Sequence, residues 1–272
     1  MRLINVRPRR GTAVLLACLP FVVLALAYLV GSAVRLAENP SDKLLPALST
    51  IVQTVKLYAF TADRRTGLYL LWSDSAASLG RLFAGIGIAT ALALLLGLLN
   101  GILPVVRAVL APFVAVVSMV PPLALLPILF IVLGLGEVSK VTLIVIGVAP
   151  ILIRDLALSA QALPREQIIK AETLSASTWL IAIRVVLPQV LPRLIDSLRL
   201  QIGPAFLFLI AAEAISADSG LGYRIFLVRR YLSMDVIFPY VAWITLLAVA
   251  MDLGLTALRR RIFPWSELER GR

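Results

Sequence analysis

Histidine is absent from all 272 residues. That removes the commonest general base and the commonest transition-metal ligand. The one cysteine, Cys18, has no second thiol for an intrachain disulfide or a thiolate cluster. Charge is scarce as well: 15% of residues are charged against 60% hydrophobic, and mean hydropathy is +0.97. A soluble domain has too little interior to hide that much apolar surface, so lipid must be the solvent for much of the chain. These shortages point to a membrane protein that is not an enzyme.

The few charges are patterned. Lys and Arg number 26 against 15 Asp and Glu, for a net charge of +11. No nucleic-acid-binding motif accompanies that excess. The arginines gather beside apolar runs instead, the arrangement that orients membrane helices. Arg2, Arg7, Arg9 and Arg10 precede the first run, and Arg259-Arg260-Arg261 follow the last. Both termini are therefore expected on the cytoplasmic side, which requires an even number of crossings.

A spanning helix needs about 20 mostly apolar residues. By that measure the chain reads as an all-α polytopic membrane protein, one transmembrane domain over 1–272 with about six spans. They fall near 12–34, 80–103, 107–134, 141–163, 194–215 and 236–258. The first run is too long for a signal peptide and ends at Gly31-Ser32-Ala33-Val34-Arg35, so it reads as a retained helix. Residues 36–77 read as an external connection with a surface helix over about 45–60, and 216–235 as a second external loop. Pro112, Pro121-Pro122 and Pro127 interrupt the third run, which must kink or break. Broken backbone at membrane depth is tolerated only where protein or a water-filled cavity covers it. Ser118, Met119, Pro121 and Pro122, with Leu123 beside them, are therefore candidates to line a translocation path.

A more polar segment, 164–184, interrupts the greasy chain before the fifth span. Pro164 stands at a helix start, and Glu166 lies in the first turn, where an acid suits the positive helix end. Ile168, Ile169, Leu174, Trp179 and Leu180 alternate with Arg165, Gln167, Lys170, Glu172 and Ser175. The expected structure is a short cytoplasmic helix, a bend near Ser175-Ala176-Ser177 and a second helix up to Pro188. An exposed helix with an apolar ridge suits docking into a partner's groove.

The segment resembles the cytoplasmic motif of permeases from ATP-binding-cassette importers: Glu-Ala-Ala, three residues, Gly, nine residues, Ile, one residue, Leu-Pro. Ile169, Lys170 and Ala171 take the Glu-Ala-Ala positions, Ser175 the glycine, Val185 the isoleucine, and Leu187-Pro188 the close. Only Ala171, Leu187 and Pro188 are kept. Elsewhere the chain is similar to importers of the nitrate, sulfonate, taurine and bicarbonate type. The matching pieces are Ser78-Leu79-Gly80-Arg81, Val120-Pro121, Gly134-Leu135-Gly136-Glu137 with Ser139-Lys140, Gly220-Leu221-Gly222-Tyr223 and Pro264-Trp265.

The resemblance implies the type I ABC importer permease fold in a bacterial cytoplasmic (inner) membrane. It implies a second permease copy around a path for a small anionic solute, an external solute-binding protein, and cytoplasmic ATPase subunits that grip the coupling segment. ATP and magnesium would belong to the ATPase chains, and no phosphate-cradling Gly-rich loop occurs here. Because Ile169 cannot supply the motif glutamate's charge, Glu172, three residues on, or Glu166, a turn earlier, is expected to stand in, with Glu172 preferred.

Ionisable groups inside spans face a cavity or a partner. Arg81, Asp196, Arg199 and Asp252 lie near span ends, where they can snorkel or pair, Asp196 with Arg199 at i,i+3. Arg154 and Asp155 diverge on a helix, one toward the path and the other toward the cytoplasmic surface. Glu213 either borders the outer gate or caps a loop. A secondary transporter is the alternative, but it would carry related halves, and no internal repeat is visible.

Overall fold

The computed structural model describes residues 10–266 except 41 and 65, and only the backbone of Arg10. Arg2, Arg7 and Arg9, expected as topology anchors, lie outside the described residues, as does the Arg10 side chain. The described residues form helices, connecting turns and no strand.

Helix α1 (Arg10–Glu38) is apolar all round and stands outside the bundle. It touches the rest near its far end, where Tyr28 Oη donates to the Pro46 carbonyl at 2.7 Å and the Tyr28 ring meets Phe238 edge to face. Helix α2 (Leu48–Phe60) is the expected surface helix and lies against α10 (Met234–Ile262), with Thr54 donating to Asp235 at 2.9 Å.

Helix α3 runs from Leu70 to Ile102, ten residues earlier than the expected start at 80. The residues read as loop are helical because Asp74, Ser75, Ser78 and Arg81 fall on one face and are buried together. Within α3, a wider π-turn spans Ala93–Gly97.

Helices α4 (Pro104–Val117) and α5 (Pro122–Leu133) meet at an 82° bend, so the third apolar run is a broken pair. Pro121, which has no N–H, and Pro122 sit at that break, as the prolines require. Gly134, at φ +77°, ends α5 in a conformation open to glycine.

Helix α6 (Glu137–Gln161) forms the centre, packed along α3 on one side and α8 on the other. In lipid, close packing rather than water exclusion holds helices together, and small residues permit it. A Cβ added at Gly85 of α3 would come within 2.7 Å of Ile144, and one at Gly101 within 2.6 Å of Ala160.

Helix α7 (Arg165–Thr173) is followed by α8, which runs unbroken from Thr178 to Ser216. The expected second helix therefore does not stop at Pro188 but becomes the fifth span. A proline ring clashes with the carbonyl four residues back, here Arg184. Arg184 lies in a second π-turn, Ala182–Val186, whose wider ring admits Pro188 without a break. Helix α9 (Leu221–Arg229) lies at the opposite end from α7, against α3, α8 and α10.

Candidate functional site

The α7 end is built on the surface. None of the residues of α7 is buried, and Ile169, Leu174 and Trp179 are exposed by 55%, 77% and 71%. Glu166, Lys170 and Glu172 share that exposure, and no side-chain bond engages either glutamate among the described residues. Ala171 is half-buried, and Ile168 packs inward to seat the helix.

The bend after α7 is a Schellman motif. The Ala176 N–H reaches the Ala171 carbonyl at 3.1 Å and the Ser175 N–H the Glu172 carbonyl at 2.9 Å. Such a turn needs a left-handed residue, and Ser175 supplies it at φ +58°. The family glycine position thus keeps its conformation without its residue. Ser177 then caps α8 by accepting from the Leu180 N–H at 3.3 Å. Leu187 and Pro188 lie half-buried in the first turns of α8, away from the exposed ridge.

Behind α7, Gln189 of α8 donates to Gln167 at 2.8 Å. A line of ion pairs continues across the helices. Arg259 meets Asp196 at 3.0 Å and Arg199 meets Asp252 at 2.7 Å. The expected Asp196–Arg199 pair exists at 3.6 Å, but both residues have closer partners on α10. Asp155 accepts from Ser197, while Arg154 points to the exposed surface. A cleft of about 520 Å³ opens between Pro164, Gln167, Arg193, Arg259 and Trp265.

The α9 end is closed. Glu213 of α8 is fully buried and accepts from Ser78 at 2.8 Å, from Arg81 at 2.6 Å and from the Gly222 N–H at 2.8 Å. Asp74, 1% exposed, accepts from the Gly220 N–H at 3.1 Å, Arg224 at 2.8 Å and Tyr240 at 3.0 Å. The Leu221 N–H donates to Ser78 at 2.8 Å. The first N–H groups of α9, which have no partner inside a helix, are thus satisfied by three side chains from α3 and α8. The positive helix end faces two carboxylates, which adds to the attraction. Burial works against the Arg224 charge, yet the bond to Asp74 and that carboxylate's field hold its pKa above the ordinary value.

Glycine is required at this contact. A Cβ on Gly220, at φ +129°, would lie 2.5 Å from the Glu213 carboxylate, and one on Gly222 would lie 2.7 Å from the Ile210 carbonyl. Of the two readings for Glu213, the geometry supports the loop cap. Arg81 belongs to the same cluster, bound also to Glu137 at 2.5 Å, which Lys140 meets at 3.0 Å. At the α4–α5 break the Ser118 hydroxyl donates to the Ala115 carbonyl of its own helix, its one side-chain bond among the described residues, while Met119 and Pro121 are exposed.

Sequence reasoning passed over Asp74, Arg224 and Tyr240, and took Ser78 only as part of a family resemblance. The spacing of Asp74, Ser78 and Arg81, at i, i+4 and i+7, is the signal that marks a polar stripe on one helix face.

Residues 69–265 match the family described as "Binding-protein-dependent transport system inner membrane component". The chain is 36% identical to the taurine transport system permease protein TauC of Escherichia coli (strain K12), over 72% of this chain and 71% of that one. It is 29% identical to the bicarbonate transport system permease protein CmpB of Synechocystis, over 78% and 76% of the two chains. Among solved structures it resembles inward-facing MetNI methionine ABC transporter, with TM-score 0.60 at 19% identity, covering 68% of this chain and 93% of that one.

Proposed function

Because the chain belongs to the family of binding-protein-dependent transport system inner membrane components, the permease subunits of ATP-binding-cassette importers, we propose that it carries a small solute with an anionic oxygen group, such as nitrate, bicarbonate or a sulfonate like taurine, across a bacterial inner membrane. Two copies would enclose the path, with the broken α4–α5 pair lining it. An external binding protein delivers the solute at the α9 end. ATPase subunits bind the α7 end in the cytoplasm, where both termini also lie. ATP and magnesium are handled by those subunits, and this chain contributes the mechanical link.

The observation that carries the reading is α7 itself: an amphipathic helix with no fully buried residue, seated through Ile168 and Ala171, that presents an apolar ridge to solvent and ends in a Schellman bend. An isolated nine-residue helix is marginal in water. One held in place by the bend, with Ile169 exposed on it and Leu174 and Trp179 exposed just beyond its end, is shaped for a partner's cleft. ATPase closure pushing on α7 passes directly into α8, because only the short turn Leu174–Ser177 separates them.

The test is co-reconstitution in vesicles with the ATPase and binding protein encoded beside this chain. Uptake of labelled taurine or bicarbonate should need ATP and all three components. Uptake by this chain alone, driven by an ion gradient, would make it a secondary transporter and end the proposal.

A further inference from the structure

The α9 end holds a carboxylate that is placed unlike its neighbours. Asp74 and Glu213 are sealed, whereas the Glu137 side chain is 61% exposed. Its two partners are not. The side chains of Arg81 and Lys140 are 8% and 4% exposed. Arg81 Nε and Nη2 form a fork on Glu137 at 2.5 and 2.9 Å, and Lys140 Nζ adds a third donor at 3.0 Å. Arg81 Nη1 is engaged separately, by Glu213 at 2.6 Å and the Ser219 carbonyl at 2.8 Å.

Three donors from two buried cations therefore converge on one water-facing anion that supplies two oxygens. Removing Glu137 would leave them arranged for an ion with three oxygens, the planar fork taking two and the lysine the third. It would also leave Arg81 and Lys140 with Glu213 as the one sealed counter-charge. That excess positive charge faces outward and attracts anions.

Glu137 is free to leave in a way Glu213 is not. It is the first residue of α6, directly after Gly134-Leu135-Gly136. Those glycines have open space where a Cβ would stand, so nothing is packed against the turn at either position. The same turn joins α6 to α5, the second half of the broken pair. Arg81 stays anchored by Glu213 and the Ser219 carbonyl when Glu137 swings out, so its fork keeps its place, and the Lys140 side chain remains enclosed beside it at 4% exposure.

We propose that Arg81 and Lys140 form an oxyanion site at the α9 end that Glu137 occupies as an exchangeable counter-ion, and that a sulfonate displaces it. The site rests on the reading of the chain as an oxyanion permease and gives that reading a place of first contact. At rest Glu137 keeps the buried cations neutralised, and an arriving sulfonate takes the three donors while Glu137 moves into water.

A binding measurement on the resting complex tests this. The permease, purified with its ATPase in lipid nanodiscs without nucleotide or binding protein, is titrated calorimetrically with methanesulfonate at constant ionic strength in chloride. An internal competitor that vacates the site about a tenth of the time weakens apparent affinity about tenfold. Glu137→Gln should therefore bind methanesulfonate about tenfold more tightly than the unaltered complex, and Glu137→Gln with Lys140→Gln should lose that gain. If Glu137→Gln does not assemble, Glu137→Asp withdraws the carboxylate by one methylene and should tighten binding in the same direction, by about threefold. Equal affinity in the unaltered and Glu137 variants, or a gain that survives Lys140→Gln, overturns the site. No uptake enters this readout, so a failure here is distinct from a failure of ATP-driven transport.

Discussion

The two ends of the bundle use the same residue types in opposite ways. At the α9 end the carboxylates of Asp74 and Glu213 are 1% and 0% exposed and tie α3, α8, α9 and α10 together. At the α7 end the side chains of Asp196, Arg199 and Asp252 are 21%, 27% and 39% exposed, and only their partner Arg259 is buried among these four. A sealed network in a low dielectric is strong when complete and unforgiving when broken. Solvent-facing pairs contribute little and can be remade. One end is thus built to keep its shape and the other to be handled by a partner.

That contrast can be broken by design, and Glu213→Ala should break it most. It leaves the Ser78 hydroxyl and the Gly222 N–H without their carboxylate acceptor and Arg81 with only the exposed Glu137 as counter-charge, and losing one partner of a buried pair costs about 3–5 kcal/mol. The expected outcome is a collapse of thermal stability in detergent, or no assembled protein. Gly220→Ala attacks the same contact from the backbone side, since its Cβ would meet the Glu213 carboxylate at 2.5 Å. Overpacking of this kind costs about 1–3 kcal/mol, read as a lowered melting temperature.

At the α7 end the effects should be smaller and more local. Ser175→Val places a β-branched residue at φ +58°, where left-handed backbone costs about 1–2 kcal/mol even for less hindered side chains. Ser175→Gly relieves that strain. The valine variant should lose ATP-coupled uptake with a fall in melting temperature far smaller than that of Glu213→Ala, while the glycine variant keeps uptake and gains slightly in stability. Asp252→Asn should leave the melting temperature where it is, because Arg199 retains Asp196. A large shift there would erase the distinction between the ends.

Much of this contrast is legible in the chain, but unevenly. The apolar runs and the proline-broken third span follow from length and from proline's missing donor, and the exposed ridge on α7 from helical spacing. The stripe Asp74–Ser78–Arg81 can be read as one face, yet its partners Glu213 and Gly220 lie more than a hundred residues away, beyond any local periodicity. Polar residues at 74–78 therefore look like a loop until burial pairs them. At Ser175 the bend falls where the sequence places it, but serine itself carries no sign of left-handed backbone, and the family glycine position alone marks that conformation. At Pro188 a helix stop is the ordinary expectation, and a π-turn overrides it.

The central claim is that α7 meets the ATPase while α9 faces the other side of the membrane. The direct test places a photo-reactive amino acid at Glu172 in one variant and at Phe226 of α9 in another, in the assembled transporter. The account predicts that the Glu172 probe crosslinks to the ATPase subunit, and does so differently with and without ATP, whereas the Phe226 probe never reaches it. An ATPase crosslink from Phe226, or none from Glu172, would contradict it.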